Sequence, residues 1–204
     1  QVPVLTSAIA IYFVFTALNV YGVKAAASFE MVVTIFAVGE LLLFSGLSLP
    51  HFQAVNLTHN ALPHGWGGAF AAIPFAIWFF LGIEGIANVA EETKNPQRDI
   101  SKGFGWAIFT LAILCVIIFI SATGIAGWEA IVYKNGIGGE TSDSPLPLAL
   151  AKITGSNHPM YHLLITVGLF GLVASFHGLI LAAGRSTYEM GRVRNIPAFL
   201  GKIS

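Results

Sequence analysis

Residues 70–104 read FAAIPFAIWFFLGIEGIANVAEETKNPQRDISKGF, and this stretch decides the fold. An apolar run long enough to cross a bilayer is interrupted by Gly82, Glu84 and Gly85, then passes into a polar segment from Glu91 to Lys102. A carboxylate at membrane depth costs about 2.5–3.5 kcal/mol on insertion scales and marks a functional site by default. A glycine in a helix interior costs about 1 kcal/mol against alanine. A chain that carries both penalties side by side needs an opening in its backbone there. Half-helix ends and unwound carbonyls near the bilayer midplane are how many secondary transporters hold small charged solutes. The expectation is a break or strong kink within residues 80–86.

Composition agrees with a membrane setting. The 204 residues are 55% hydrophobic and only 10% charged, whereas an ordinary soluble domain carries roughly a quarter charged residues. The formal net charge is zero, so no basic field points to nucleic acid. The single cysteine, Cys115, lies in an apolar run and cannot form an internal disulfide. His51, His59 and His64 share a loop without the tight spacing of a metal site. Neither a metal nor a cofactor is expected. The chain has no nucleophile elbow, phosphate loop or zinc motif, so enzyme chemistry is not expected either.

Five segments are long and apolar enough to span, at about 4–22, 31–49, 70–90, 104–127 and 163–184. A span needs about 20 such residues. Continuous apolar runs favour helices over barrel strands, which alternate in polarity. The fold class is therefore an all-α polytopic membrane bundle whose third helix is broken, forming a single membrane domain. Eight of the ten basic residues fall on one face: Lys24, Lys94, Arg98, Lys102, Arg185, Arg192, Arg194 and Lys202. The positive-inside rule makes that face cytoplasmic. The loop at 50–68 and the long loop at 128–159 are then outside, and PLALAKI in the latter suits a short surface helix. The chain begins without Met and ends in a basic loop, and it reads as part of a longer protein.

Glu84 is the leading candidate for chemistry. It either serves a solute or pairs with a basic group on another helix. Phe79 and Phe80 precede it, and their faces could hold an ammonium group by cation–π attraction. Lipid contact is their alternative fate. Gly82 and Gly85 either open the backbone or allow close helix packing. Glu40, beside Gly39 in the second span, is a second intramembrane carboxylate. It is either a coupling-proton site or a protonated, hydrogen-bonded group. Glu30 reads as interfacial at a span end. His177 lies in LVASFHGLI within the fifth span, and with Ser175 and Gly178 it reads as a polar face toward the bundle. It is either a proton relay or a packing histidine. Asn95-Pro96 stops a helix, and Asp99 or Ser101 suits the cap of the next.

These residues also carry a resemblance. GIEGIANVAEETKNPQRDISKG resembles the sixth-helix signature of the amino acid–polyamine–organocation (APC) transporter superfamily, including its acidic pair Glu91-Glu92 and the loop motif Asn95, Pro96 and Arg98. Ser101 stands where that signature has proline. NVYGVKAAASFE is similar to the superfamily's N-x-x-G-V-K loop between helices four and five. AAGRSTYEMGRVRNIPAFLGKI resembles its basic loop after helix eight, although Arg194-Asn195 replace the usual Asp-Gly. The resemblance covers nearly the whole chain. It implies helices four to eight of a twelve-helix permease with the five-plus-five inverted-repeat fold. The helices that complete the site, the first among them, then lie elsewhere in the same protein.

Within the superfamily, GLFGLVASFHGLILAAGRSTYEMGR looks most like the ethanolamine permease branch. The implied function is import of a small amine, most of all ethanolamine, with proton coupling. Import of an amino acid is the alternative, and a channel or membrane enzyme is the rival from other classes. The resemblance places Phe79, Phe80, Gly82, Ile83, Glu84 and Gly85 at the substrate region. It makes Glu40, Ser175 and His177 candidates for the coupling ion, a proton or sodium. No mid-span lysine stands on the fifth helix, where some proton-coupled relatives carry one. The implied setting is a cell membrane, expected to be a bacterial inner membrane.

Overall fold

Inside a bilayer a backbone must satisfy its own polar groups, and an α-helix does so within one segment. Helices are what this sequence forms. The computed structural model describes residues 3–88, 90, 93–136 and 138–202, without the side chains of Val4, Tyr21, Val23 and Asn88. In chain order the α-helices are α1 (Val4–Tyr21), α2 (Val23–Ser48), α3 (Val55–Thr58), α4 (Gly65–Ala72), α5 (Gly85–Asn88), α6 (Pro96–Ala126), α7 (Trp128–Val132), α8 (Pro145–Thr154) and α9 (Pro159–Arg192). Tighter 3₁₀ segments cover Leu49–His51, Ile73–Phe80 and Ala198–Gly201. Among the described residues there is no strand, only an isolated bridge between Tyr133 and Thr141. The architecture is all-α and polytopic.

Four stretches are long and apolar enough to cross a membrane: Lys24–His51, Gly65–Ala87, Pro96–Ala126 and Pro159–Arg192. The helix α1, first of the expected crossings, has 18 residues. At 1.5 Å per residue it is about 27 Å long, the short end of the spanning range. Large apolar side chains stay exposed along these helices, for example Phe13, Phe36, Phe119 and Leu172. Helices apolar all round belong in a membrane or a deep core.

Two local features fix where the long helices begin. A single residue, Gly22, joins α1 to α2 at φ 148° and ψ 144°, a region open essentially to glycine alone. Helix α2 starts directly after it, upstream of the apolar run at Met31, because Ala25, Ala26 and Ala27 are the strongest helix formers. Second, α6 opens on Pro96, whose missing N–H costs nothing in a first turn. The Asn95 carbonyl accepts the N–H groups of Arg98 at 3.1 Å and Asp99 at 2.9 Å. Asp99 and Ser101, expected as caps, therefore sit inside the helix.

The chain divides into two compact units. One comprises Gln1–Ile35, Gly82–Gly105 and Gly171–Ser204, and the other Phe36–Leu81 and Trp106–Phe170. The core of the second unit is Phe44, Ala122, Ile131, Ala149, Leu150 and Leu164. The expected short helix in the long loop is α8, which buries Ala149 and Leu150 in that core. The loop after α2 is tied to the end of α6. The Gly124 carbonyl accepts the Gln53 N–H at 2.9 Å and the Asn56 side-chain amide at 2.8 Å. The Phe52 ring packs so tightly on Gly124 that a Cβ there has no room. The first unit is organised around aromatic rings. Phe15 of α1 meets Phe29 of α2 at 5.8 Å between centroids and Phe176 of α9 at 5.9 Å.

Candidate functional site

The third span is broken where its sequence is weakest. After α4 the helix tightens into the 3₁₀ segment Ile73–Phe80, and Leu81 leaves it with φ −62° and ψ 128°. Gly82 then takes φ +86°, where a side chain would be strained. The chain recovers through turn bonds, from Gly85 N–H to the Gly82 carbonyl at 2.9 Å and from Ala87 N–H to the Glu84 carbonyl at 2.9 Å. The N–H groups of Gly82, Ile83 and Glu84 donate to no backbone carbonyl among the described residues. The resulting turn offers bare amides, redirected carbonyls and one carboxylate within a few residues. Glu84 is exposed, as are Phe79 and Phe80, while Gly82, Ile83 and Gly85 are half-buried.

The coupling-ion candidates fall in different surroundings. Glu40 is half-buried on α2, and its carboxyl faces Gly168 of α9, whose absent Cβ would lie 3.8 Å from it. Ser175 is exposed. It does not share a face with His177, because residues two apart on a helix point away from each other. The polar face expected around His177 therefore excludes Ser175. Of the loop motif, Asn95 and Pro96 open α6, and Arg98 is exposed on its first turn. Glu91 and Glu92 lie outside the described residues. His51, His59 and His64 are exposed.

His177 itself is fully buried. Its Nδ1 stands 2.6 Å from Oε2 of Glu30, a partner 147 residues away. Glu30 lies two turns inside α2 and reaches across to α9. Gly178 lies beside it, and a Cβ there would be in ordinary van der Waals contact with the Glu30 carboxylate at 3.6 Å. Phe29 and Phe15 stand edge-on to the imidazole at 5.2 and 5.8 Å. On the far side, Nε2 is buried and has no hydrogen-bond partner among the described residues. The available sequence signal was the run Ala25–Ala27, which carries the helix upstream of Met31 and so sets Glu30 within α2.

The first unit also contains a cavity of about 530 Å³. It lies between α1 and the C-terminal half of α9, with Tyr12, Thr16 and Asn19 on one wall and Arg185 and Tyr188 on the other.

The sequence profile of the amino acid permease family matches residues 1–204. The chain is 32% identical over 193 residues to an uncharacterized transporter of Rhizobium meliloti (strain 1021), covering 91% of this chain and 39% of that protein. It is 26% identical over 187 residues to YecA, an uncharacterized amino acid permease of Bacillus subtilis (strain 168), with 92% and 41% covered. It is 24% identical over 194 residues to the branched-chain amino acid permease BcaP of the same strain, with 89% and 37% covered. The chain thus spans about two-fifths of the length of these relatives. No solved structure matches it.

Proposed function

The chain belongs to the amino acid permease family, and on that premise we propose that it is part of a secondary active permease for an amino acid. The observation that carries this reading is the turn at Gly82. Its amides at Gly82, Ile83 and Glu84 donate to no backbone carbonyl among the described residues, and bare backbone N–H groups suit a carboxylate. The carbonyls beside them and the Glu84 carboxylate suit an ammonium group. A solute with both charges uses both sets. One relative is named for branched-chain amino acids, which supports the same class.

Ethanolamine import is a second reading, favoured by the ASFHG stretch at 174–178. It leaves the amides at the turn without an anion to bind. In either case the permease sits in a cell membrane, which we take to be a bacterial inner membrane. The basic loops around Lys24, 94–102 and 185–202 then face the cytoplasm. Proton coupling supplies the driving force in this reading, because intramembrane carboxylates are available to carry the proton.

Uptake by the full-length protein in liposomes tests the reading. The panel holds zwitterionic amino acids, ethanolamine and small amines, with and without an imposed proton gradient. Amino acid uptake that rises with an inward proton gradient is the expected result. Uptake of ethanolamine alone would select the second reading, and uptake of nothing on the panel would refute both.

A further inference from the structure

We propose that Glu30 and His177 together form a proton-binding site whose occupancy drives the transport cycle. The inference rests on the permease reading, and deepens it by naming where the proton sits. The geometry is that of a hydrogen-bonded pair able to hold one proton between them. Imidazole Nδ1 and carboxylate Oε2 are 2.6 Å apart, the short distance of a charge-assisted bond. The imidazole is 0% exposed and the carboxylate 33%, so one member is sealed and the other only partly covered. Phe15 and Phe29 wall the ring, and Ala26 beside them is fully buried.

Charge counting gives the pair a function beyond packing. A carboxylate with a neutral imidazole has a net charge of minus one. One added proton makes the pair neutral overall, whichever member holds it. Burying a net charge in an apolar interior costs far more than burying a compensated pair. The loaded pair therefore tolerates closure of the protein around it, and the unloaded pair favours a state open to water. A proton can shift such an equilibrium only by binding the two states differently, and this pair supplies the difference.

The orphaned Nε2 points the same way. A buried ring nitrogen without a partner is destabilising, and it regains a partner in any state that wets that face. No other charge compensates the pair at close range among the described residues. On the elements packed around it, Tyr12 of α1 meets Phe176 rather than the pair. Lys24 precedes Glu30 by six residues of α2, about 9 Å along the axis. Arg185 follows His177 by eight residues of α9, about 12 Å, and has an interaction of its own. Tyr188 lies one turn further along α9, in the cavity wall with Arg185.

The test uses the full-length protein in liposomes, as wild type, Glu30→Gln and His177→Gln. Infrared difference spectra are taken as the pH is stepped from about 4 to about 9, the range where carboxyl and imidazole groups titrate. The proposal expects carboxyl and imidazole bands that titrate together in the wild type and are lost in both variants. Bands absent from the wild type, or unchanged in both variants, would overturn it. Transport is read on the same samples. A gradient of about one pH unit sustains about tenfold accumulation for one proton per solute. Both variants should lose that accumulation yet keep solute exchange, which needs no net proton movement and shows that they are folded. Accumulation at the wild-type level in both would also overturn the proposal. If the paired titration is present but the wild type moves no solute on the panel, the proton site stands and the permease reading falls.

Discussion

Replacing Gly82 by alanine tests the break more cleanly than any charge change. The backbone at Gly82 has φ +86°, and a Cβ placed there meets no atom within 4 Å. Any penalty therefore comes from the backbone itself and not from collision. Left-handed backbone costs an L-residue roughly 1–2 kcal/mol. If the turn is the transport-competent conformation, that strain shifts the chain away from it by about five- to thirtyfold. Gly85 provides the control. It opens α5, has no positive φ and likewise meets nothing within 4 Å. Alanine there gains up to about 1 kcal/mol of helix propensity. The assay is initial solute uptake by the full-length protein, normalised to the amount in the membrane, with thermal stability measured alongside. Gly82→Ala should lose about five- to thirtyfold in uptake, and Gly85→Ala should stay near wild type. Equal uptake by the two variants would refute the claim that the positive φ at Gly82 matters to transport.

Glu84→Gln should lower apparent affinity or rate by about ten- to a hundredfold if the carboxylate holds an ammonium, since charge-assisted bonds are worth about 1.5–3 kcal/mol. Glu140→Gln, in the exposed pair with Lys134, should change uptake little. Gly124→Ala should lower the melting temperature, because the new Cβ collides with the Phe52 ring and overpacking costs about 1–3 kcal/mol; Phe52→Leu added to it should restore part of the loss. Cysteines introduced at Arg98 and at Asp143 in the full-length protein should react with impermeant reagent from the cytoplasmic and the outer side respectively, and labelling of Arg98→Cys from outside would refute the sidedness.

The break was legible in the sequence because it rests on local costs. Gly82, Glu84 and Gly85 are each unfavourable in a membrane helix, and three such residues together have a single economical explanation. Helix content was legible for the same kind of reason, since apolar length needs no knowledge of neighbours. Helix ends were less so. The start of α6 at Pro96 is a competition between caps that are close in sequence, and the backbone carbonyl of Asn95 won over the side chains of Asp99 and Ser101. Ser175 was grouped with His177 by adjacency, whereas the helical period sets them on different faces.

The Glu30–His177 pair was hidden for a deeper reason. Hydropathy weighs each residue against its immediate neighbours, and Glu30 stands beside Met31, where the strongly apolar run begins. By that measure it is a charge at a membrane edge, solvated at little cost. What that measure leaves out is the partner, which only the three-dimensional path shows. The glycine hinge at Gly22 starts α2 early, the alanines Ala25–Ala27 keep it helical, and Glu30 arrives two turns deep, facing an imidazole 147 residues away. Neither residue alone was decisive, since a lone carboxylate and a lone histidine each have ordinary explanations. Their separation of 2.6 Å turns two ambiguous residues into one hydrogen-bonded pair. On the proposal made above, the pair is the place where a proton would load, and Glu40, whose carboxyl lies against Gly168, is the other intramembrane carboxylate that a variant series has to compare with it.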